Sequence, residues 1–310
     1  MADLQRRVSS LGFACEGDEP GTYGPPTGSA VRAFQHDRGL RADGICGEQT
    51  WSAIVEAGYR LCDRRLYQRK PMMRGDDIAD LQRRLGALGF DAGKVDGIFG
   101  PDTLAALAEF QRNAGLTVDG IFGPAELIVL ERLGNRGDGV VSELRELATL
   151  RWSAPGLEHR RVVIGERGGL DALTTALGRA LRRRGADAIV IQHPDGSELA
   201  QQANTARAEL FVELAPLPDG EGCRCAYYRG YHTSSPAGQD LAERLGQGVP
   251  AALGLPALGS TGMAVPVLRE TRMPAVVCEV GPTAVLVAQG PVLVTAVAGA
   301  IEAWVVRAAH

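Results

Sequence analysis

Residues 95–107, with the sequence VDGIFGPDTLAAL, decide the fold of the first half of the chain because this stretch is repeated. It recurs as VDGIFGPAELIVL at residues 118–130 and, with more substitutions, as ADGICGEQTWSAI at residues 42–54. Each copy contains an Asp-Gly turn, one apolar anchor, a glycine and a helix start, and glycine supplies the positive φ that such a turn needs. The repeat therefore predicts a unit made of a turn, an anchor and a helix.

A longer repeat surrounds these units. LQRRVSSLGF at residues 4–13 returns as LQRRLGALGF at residues 81–90, and AVRAFQHDRGL at residues 30–40 returns as ALAEFQRNAGL at residues 106–116. In both copies, apolar residues spaced by three and four positions predict a short helix that ends at a glycine. We therefore predict two tandem all-α modules of three helices each.

The second half of the chain has a different pattern, in which short apolar strands alternate with helices. This alternation predicts an α/β domain with a mostly parallel sheet. The predicted strands are residues 160–165, 186–192, 208–214, 225–231 and 274–281, and the predicted helices are residues 173–184, 199–207, 239–245 and 292–306. The predicted domain boundaries are module 1 at 1–60, a basic connector at 61–75, module 2 at 76–133, a linker with a short helix (141–150) at 134–159, and the α/β domain at 160–310.

Composition limits the possible partners. The chain has 310 residues and a formal net charge of −4, which gives no reason to expect nucleic acid or an anionic membrane surface as the main partner. The first residues enter the repeat at once, without the pattern of a signal peptide, and no apolar run is long enough for a transmembrane segment. We expect a cytoplasmic protein, or a wall-associated one if a leader has been removed.

Six cysteines are present, and Cys223 and Cys225 are the one close pair. A structural zinc site normally has two such pairs, or a pair together with histidines at set spacing. The sequence therefore predicts free thiols and no metal.

The repeated motifs resemble the peptidoglycan-binding module that accompanies many bacterial wall hydrolases. The resemblance implies that module 2 binds glycan or stem peptide; in module 1, TYGPPT at residues 22–27 replaces one Asp-Gly unit. The alternative is that the same residues only build a small helical fold. The predicted ligand residues of module 2 are Asp96, Gly97, Phe99, Gly100, Thr103, Phe110, Gln111, Asp119, Gly120 and Phe122.

The α/β half resembles the catalytic domain of zinc-dependent N-acetylmuramoyl-L-alanine amidases. Residues 268–281, LRETRMPAVVCEVG, are similar to the family segment that carries the catalytic glutamate, which corresponds to Glu279. The metal positions differ: Arg167 replaces the first histidine, Leu170 or Asp171 lies near the second ligand, and Ala215 replaces the other histidine.

A guanidinium cannot coordinate a dication, and alanine has no donor atom. The sequence therefore predicts that zinc is absent unless other side chains rebuild the site, and Glu279 is then a relic or forms an ion pair with Arg167. The candidates for a rebuilt site are Glu166, Asp171, His193, Glu213 and His232.

This combination of two modules and a degenerate amidase domain is similar to a cytoplasmic actinobacterial branch of amidase homologues. The resemblance implies a non-catalytic regulator or scaffold of cell-wall precursor synthesis. Its implied partners are a cytosolic enzyme, the enolpyruvyl transferase of the first committed step, and the flippase of the lipid precursor. Two alternatives stay open: an active amidase that hydrolyses peptidoglycan, and an inactive protein that binds peptidoglycan or muropeptides.

Overall fold

A computed structural model describes residues 1–134, 156–230 and 233–308, which belong to two compact units. The first unit is all-α, as the repeats predict. Its helices are α1 (Ala2–Ser10), α2 (Pro25–Asp37), α3 (Glu48–Ala57), α4 (Asp76–Ala87), α5 (Pro101–Asn113) and α6 (Pro124–Gly134).

Each three-helix module has its own apolar core. Helices α1–α3 pack around Phe34, and helices α4–α6 pack around Phe99 and Phe110. Proline occupies the first position of α2, α5 and α6, where the missing N–H costs no helical hydrogen bond.

The connector between the modules contributes to the core of the second one. Leu66 is fully buried and exchanges two backbone hydrogen bonds with Phe122, of 3.0 and 2.8 Å. Arg64 stacks on the ring of Tyr59, 3.7 Å from its centroid, and its Nε donates to the buried carboxylate of Asp77 at 2.8 Å. The connector therefore contacts both modules.

The second unit contains a six-stranded sheet with the strand order β2-β1-β3-β6-β4-β5. Four of the five strand pairs are parallel, and the pair formed by β4 and β6 is antiparallel. The prediction of a mostly parallel sheet is therefore confirmed. The strands are β1 (Arg161–Glu166), β2 (Asp187–Gln192), β3 (Leu210–Pro216), β4 (Gly222–Tyr228), β5 (Ala257–Met263) and β6 (Ala275–Gly281). The helices are α7 (Asp171–Arg182), α8 (Gly196–Thr205), α9 (Pro236–Leu253), α10 (Pro266–Glu270), α11 (Thr283–Ala288) and α12 (Gly290–Ala308).

Helices cover both faces of this sheet. Helices α7, α9 and α12 pack on one face, and α8 and α10 pack on the other. Because side chains alternate along a strand, every strand except the edge strand β5 contributes to two separate cores. In the described residues, no helix combines the length and the apolar character that crossing a membrane requires.

The structure contains three elements that the sequence pattern does not predict, strand β5 and the short helices α10 and α11, and the bounds of other elements differ. Strand β5 was not predicted, because its sequence ALGSTGM has small residues in place of an apolar alternation. Helix α9 is much longer than the predicted 239–245, and β4 begins at Gly222 instead of residue 225. The predicted helix at 141–150 lies outside the described residues.

Candidate functional site

Five side chains meet where β1, β3 and β6 end. Strand β3 places Glu213 beside Gly165 of β1, and it places Ala215 beside Glu279 of β6. Arg167 follows the last residue of β1, and Arg224 of β4 is the cross-strand partner of Glu279. We call Arg167, Glu213, Ala215, Arg224 and Glu279 the carboxyl-end site.

Arg167 forms an ion pair with Glu213. The Nε atom of Arg167 lies 2.8 Å from Oε1 of Glu213, and its Nη2 atom lies 3.4 Å from Oε2. The carboxylate is 1% exposed, whereas the arginine side chain is 45% exposed. Burial raises the pKa of Glu213, the guanidinium of Arg167 opposes that shift, and the nearby charge of Glu279 adds to it. The pair therefore holds a buried acid in place with a cation that reaches solvent.

Glu279 forms an ion pair with a different arginine, Arg224. The Nε atom of Arg224 donates to Oε2 of Glu279 at 2.8 Å, and the two residues are directly opposed on antiparallel strands. The predicted ion pair between Arg167 and Glu279 is therefore wrong. The reason is the register of β4. Because this strand begins at Gly222, Arg224 lies opposite Glu279, and Arg167 pairs with Glu213 of β3.

The carboxyl-end site does not fit a zinc ion. Its first position holds a guanidinium already bonded to Glu213, and Ala215 offers a methyl group beside Glu279. Leu170, near the second ligand position, is buried and donates its backbone N–H to Glu166 at 2.7 Å. None of these groups is a zinc ligand.

The other candidates for a rebuilt site are dispersed. Glu166 is buried under Leu170, Asp171 is exposed at the start of α7, and the Nδ1 atom of His193 accepts the backbone N–H of Asp195. His232 lies outside the described residues. Within the described ranges, the donors that come close enough to share one metal ion belong instead to Cys223, Cys225 and Cys278.

The predicted ligand residues of module 2 mostly stabilise its turns. The side chain of Gln111 donates to Asp119 Oδ1 at 2.8 Å and to the carbonyl of Ile121 at 3.1 Å, and it accepts the N–H of Gly120 at 3.0 Å. The backbone N–H of Ile121 also donates to Asp119, and this bond, followed by the one from Gln111, lowers the pKa of Asp119. Gln111 therefore fastens the second helix of the module to the turn that follows it.

The same construction occurs at the first turn of module 2. Gln82 donates to Asp96 Oδ1 at 2.9 Å and to Thr103 Oγ1 at 2.9 Å, and it accepts the N–H of Gly97 at 2.9 Å. Gly97 has a φ of 70°, as the Asp-Gly turn requires. Gly100 is the N-cap of α5. Five of the predicted ligand residues have side chains that are at most 1% exposed and face the core, namely Phe99, Thr103, Phe110, Gln111 and Phe122.

Sequence reasoning missed the role of the glutamines. Gln5 and Gln35 hold the two turns of module 1 as Gln82 and Gln111 hold those of module 2. The signal is present in the sequence, because a glutamine follows Leu or Phe in each repeat at residues 5, 35, 82 and 111. We call these four residues the latch glutamines.

Comparison with known proteins gives matches over both halves of the chain. Residues 1–54 and 74–130 match the peptidoglycan binding domain family. The chain is 35% identical over 283 residues to N-acetylmuramoyl-L-alanine amidase CwlM of Mycobacterium tuberculosis, with 81% of this chain and 70% of the relative covered. It is 32% identical over 135 residues to the amidase CwlL of Bacillus licheniformis, with 37% and 38% covered.

Two solved amidase structures also match. The amidase Ami1 from Mycobacterium smegmatis has a TM-score of 0.42 at 16% identity and covers 48% of this chain and 98% of its own. The amidase from Clostridium difficile 630 has a TM-score of 0.41 at 16% identity and covers 47% and 97%.

Proposed function

The chain belongs to the N-acetylmuramoyl-L-alanine amidase family represented by CwlM, and from that premise we propose that it is a non-catalytic member of the family. In this proposal it regulates or scaffolds the synthesis of cell-wall precursors through protein contacts. Its place of action is the cytoplasm. Its partners are the enolpyruvyl transferase of the first committed step and the flippase of the lipid precursor.

One observation supports the loss of catalysis: each of the two glutamates of the carboxyl-end site, Glu213 and Glu279, is paired with an arginine. Hydrolysis of an amide by a zinc enzyme needs a metal ion that acidifies a bound water and polarises the carbonyl. The cation beside Glu213 is the guanidinium of Arg167, which has no lone pair to offer a metal. An incoming zinc ion would be repelled by this charge and would find no donor at Ala215.

The second arginine acts on the retained acid. An oxygen of Glu279 accepts a charge-assisted hydrogen bond from Arg224, and such bonds are about twice as strong as neutral ones. Glu279 therefore has a structural contact between β4 and β6 that needs no metal, and this supports a structural role for it.

Hydrolysis of purified muropeptides by the full chain tests the proposal. We expect no release of stem peptide by mass spectrometry, with or without added zinc, while an active amidase releases it under the same conditions. The matched variant Glu279→Gln should be indistinguishable from the unaltered chain. Turnover that requires added zinc and is lost in Glu279→Gln would show that the chain is an active amidase.

The regulatory part of the proposal needs a separate measurement. The purified chain is added to the enolpyruvyl transferase, and the initial rate of phosphate release is followed. We expect a change in rate that saturates with the concentration of the chain. An unchanged rate, together with an unchanged flippase activity in proteoliposomes, would remove the proposed role in precursor synthesis.

A second function is favoured by the family match of residues 1–54 and 74–130, namely binding of peptidoglycan without hydrolysis. Sedimentation with purified sacculi tests it, because a binding protein appears in the pellet. A chain that remains in the supernatant and still changes the transferase rate supports regulation and excludes wall binding as the main function.

A further inference from the structure

Three cysteines from distant parts of the sequence meet inside the second unit. Cys223 and Cys225 lie on β4 and point to the same face, since side chains two positions apart in a strand do so. Cys278 of β6 is the cross-strand partner of Cys225. The three Sγ atoms all lie within 4.8 Å of one another, and those of Cys223 and Cys278 are 3.8 Å apart. We call these residues the thiol cluster.

The thiol cluster is closed to solvent. All three residues are 0% exposed and belong to the core between the sheet and helices α7, α9 and α12. Helix α9 passes directly over the cluster, because a Cβ added to Gly246 would lie 4.0 Å from the Cβ of Cys225. In the described part of the chain, no histidine, aspartate or glutamate adds a fourth donor to the group.

We propose that Cys223, Cys225 and Cys278 bind a soft, thiophilic metal ion of low coordination number, of which Cu(I) is the biological example. Soft thiolate ligands select such ions over hard cations. Zinc is less suitable here, because structural zinc sites have four ligands and this cluster supplies three. Water is excluded from the cluster and is not available as the fourth ligand.

The spacing of the sulfur atoms fits an ion at the centre of the cluster. With a metal–sulfur distance of ~2.3 Å, three sulfurs in one plane around an ion are ~4.0 Å apart. The 3.8 Å between Cys223 and Cys278 is close to this value. All three sulfurs lie within 4.8 Å of one another, so one ion can reach the three of them after the side chains adjust.

Charge limits how the ion is held. Each thiol that ligates the ion loses its proton, so uptake of the ion releases protons to the solvent. Three thiolates around a monovalent ion would leave a double negative charge in an apolar core, and burial of unpaired charge is costly. Ligation by two thiolates and one neutral thiol lowers that charge to a single negative one and is our expected form with Cu(I).

The thiol cluster lies directly behind the carboxyl-end site. Arg224 stands between Cys223 and Cys225 in the sequence, and Glu279 follows Cys278, so the ion pair and the thiols occupy opposite faces of the same two strands. An ion in the cluster would fix β4 to β6 and so hold Arg224 against Glu279. The inference does not depend on whether the chain is catalytic.

Titration with Cu(I) tests the site. The variant Cys15→Ser/Cys46→Ser/Cys62→Ser removes the other cysteines and leaves the thiol cluster intact. We titrate this full-length variant anaerobically with Cu(I) against a chromogenic chelator and expect one ion per chain. X-ray absorption should then show three sulfur neighbours at about 2.3 Å.

The matched variant adds Cys278→Ser to the same background. We expect its affinity for Cu(I) to fall at least about tenfold, as ligand changes at metal sites do. Unchanged affinity, or no uptake by the intact cluster in competition with the chelator, would overturn the proposal. If Cys278→Ser does not fold, as judged by circular dichroism, the sulfur count of the intact cluster decides, and a shell of nitrogen or oxygen neighbours refutes it.

Discussion

Replacing Arg167 with alanine should destabilise the second unit in a pH-dependent way. Among the residues that the structure describes, the substitution removes the cation that pairs with Glu213, whose carboxylate is 1% exposed. Removing one partner of a buried pair costs about 3–5 kcal/mol. Because the arginine side chain is 45% exposed and its charge is screened by water, we expect a loss of about 2 kcal/mol at pH 8.

The sign of the pH dependence follows from the pKa of Glu213. Burial raises this pKa in the folded chain, and Arg167 opposes the shift, so Arg167→Ala raises the pKa further. A carboxyl whose folded pKa is raised contributes stability at pH values below its unfolded pKa and loses it as the pH rises through the folded pKa. The deficit of Arg167→Ala should therefore be smaller at pH 5 than at pH 8.

Urea unfolding between pH 5 and pH 8 measures this deficit. Trp304 is buried in the second unit, so its fluorescence in a Trp51→Phe/Trp152→Phe background reports the unfolding of that unit. The control Arg244→Ala breaks a partly exposed i,i+4 pair with Asp240 and should cost less than about 0.5 kcal/mol at every pH.

The double variant Arg167→Ala/Glu213→Gln provides the second control. It has no carboxylate at residue 213, so the difference between pH 5 and pH 8 should largely disappear. A deficit of equal size at both pH values, or one no larger than that of Arg244→Ala, would refute the assignment of Arg167 as the cation that stabilises the carboxylate of Glu213.

Two further substitutions test the packing of each unit. Gln111→Leu leaves the buried N–H of Gly120 unpaired and should cost about 1–3 kcal/mol, seen as faster hydrogen exchange over residues 117–130, whereas Gln49→Leu at an exposed position should change little. Gly165→Ala places a Cβ 2.6 Å from the ring of Phe211 and should lower the Tm through a loss of about 1–3 kcal/mol, whereas Gly248→Ala in the same unit meets no neighbour and should be neutral or stabilising. Equal effects within either pair would contradict the assigned contacts.

The fold could be predicted from the sequence where local signals agree with packing. Glycines at the turns and prolines at the helix starts defined the modules, and the runs RVVIG and AVVCEV are apolar enough to identify two central strands. Strand β5 has no such run, because it lies at the end of the sheet and is largely exposed. Its pairing with β4 depends on tertiary contacts, which the local sequence pattern does not show.

The sequence indicated which residues lie at the ends of the strands, but it did not indicate which side chains contact one another there. The positions of Arg167, Ala215 and Glu279 follow from the order of the strands, whereas the partner of each charge depends on how strands far apart in the sequence are aligned. For that reason the sequence did not link Arg224 to these positions, and it identified Glu213 as a candidate metal ligand but not as the partner of Arg167. Because the register was not known from the sequence, the sequence also did not show that Cys278 lies beside Cys223 and Cys225.

Charge balance gives the strongest physical reason to separate this site from that of a zinc enzyme. Two carboxylates that converge without a cation would repel each other; burial is the main cause of the raised pKa of Glu213, and the charge of Glu279 adds to it. In the described chain each carboxylate has its own guanidinium, so the carboxyl-end site is close to neutral without a metal. Zinc would therefore have to displace two charge-assisted ion pairs and would gain no histidine ligand in return, which makes metal-free stability of this site the expected property.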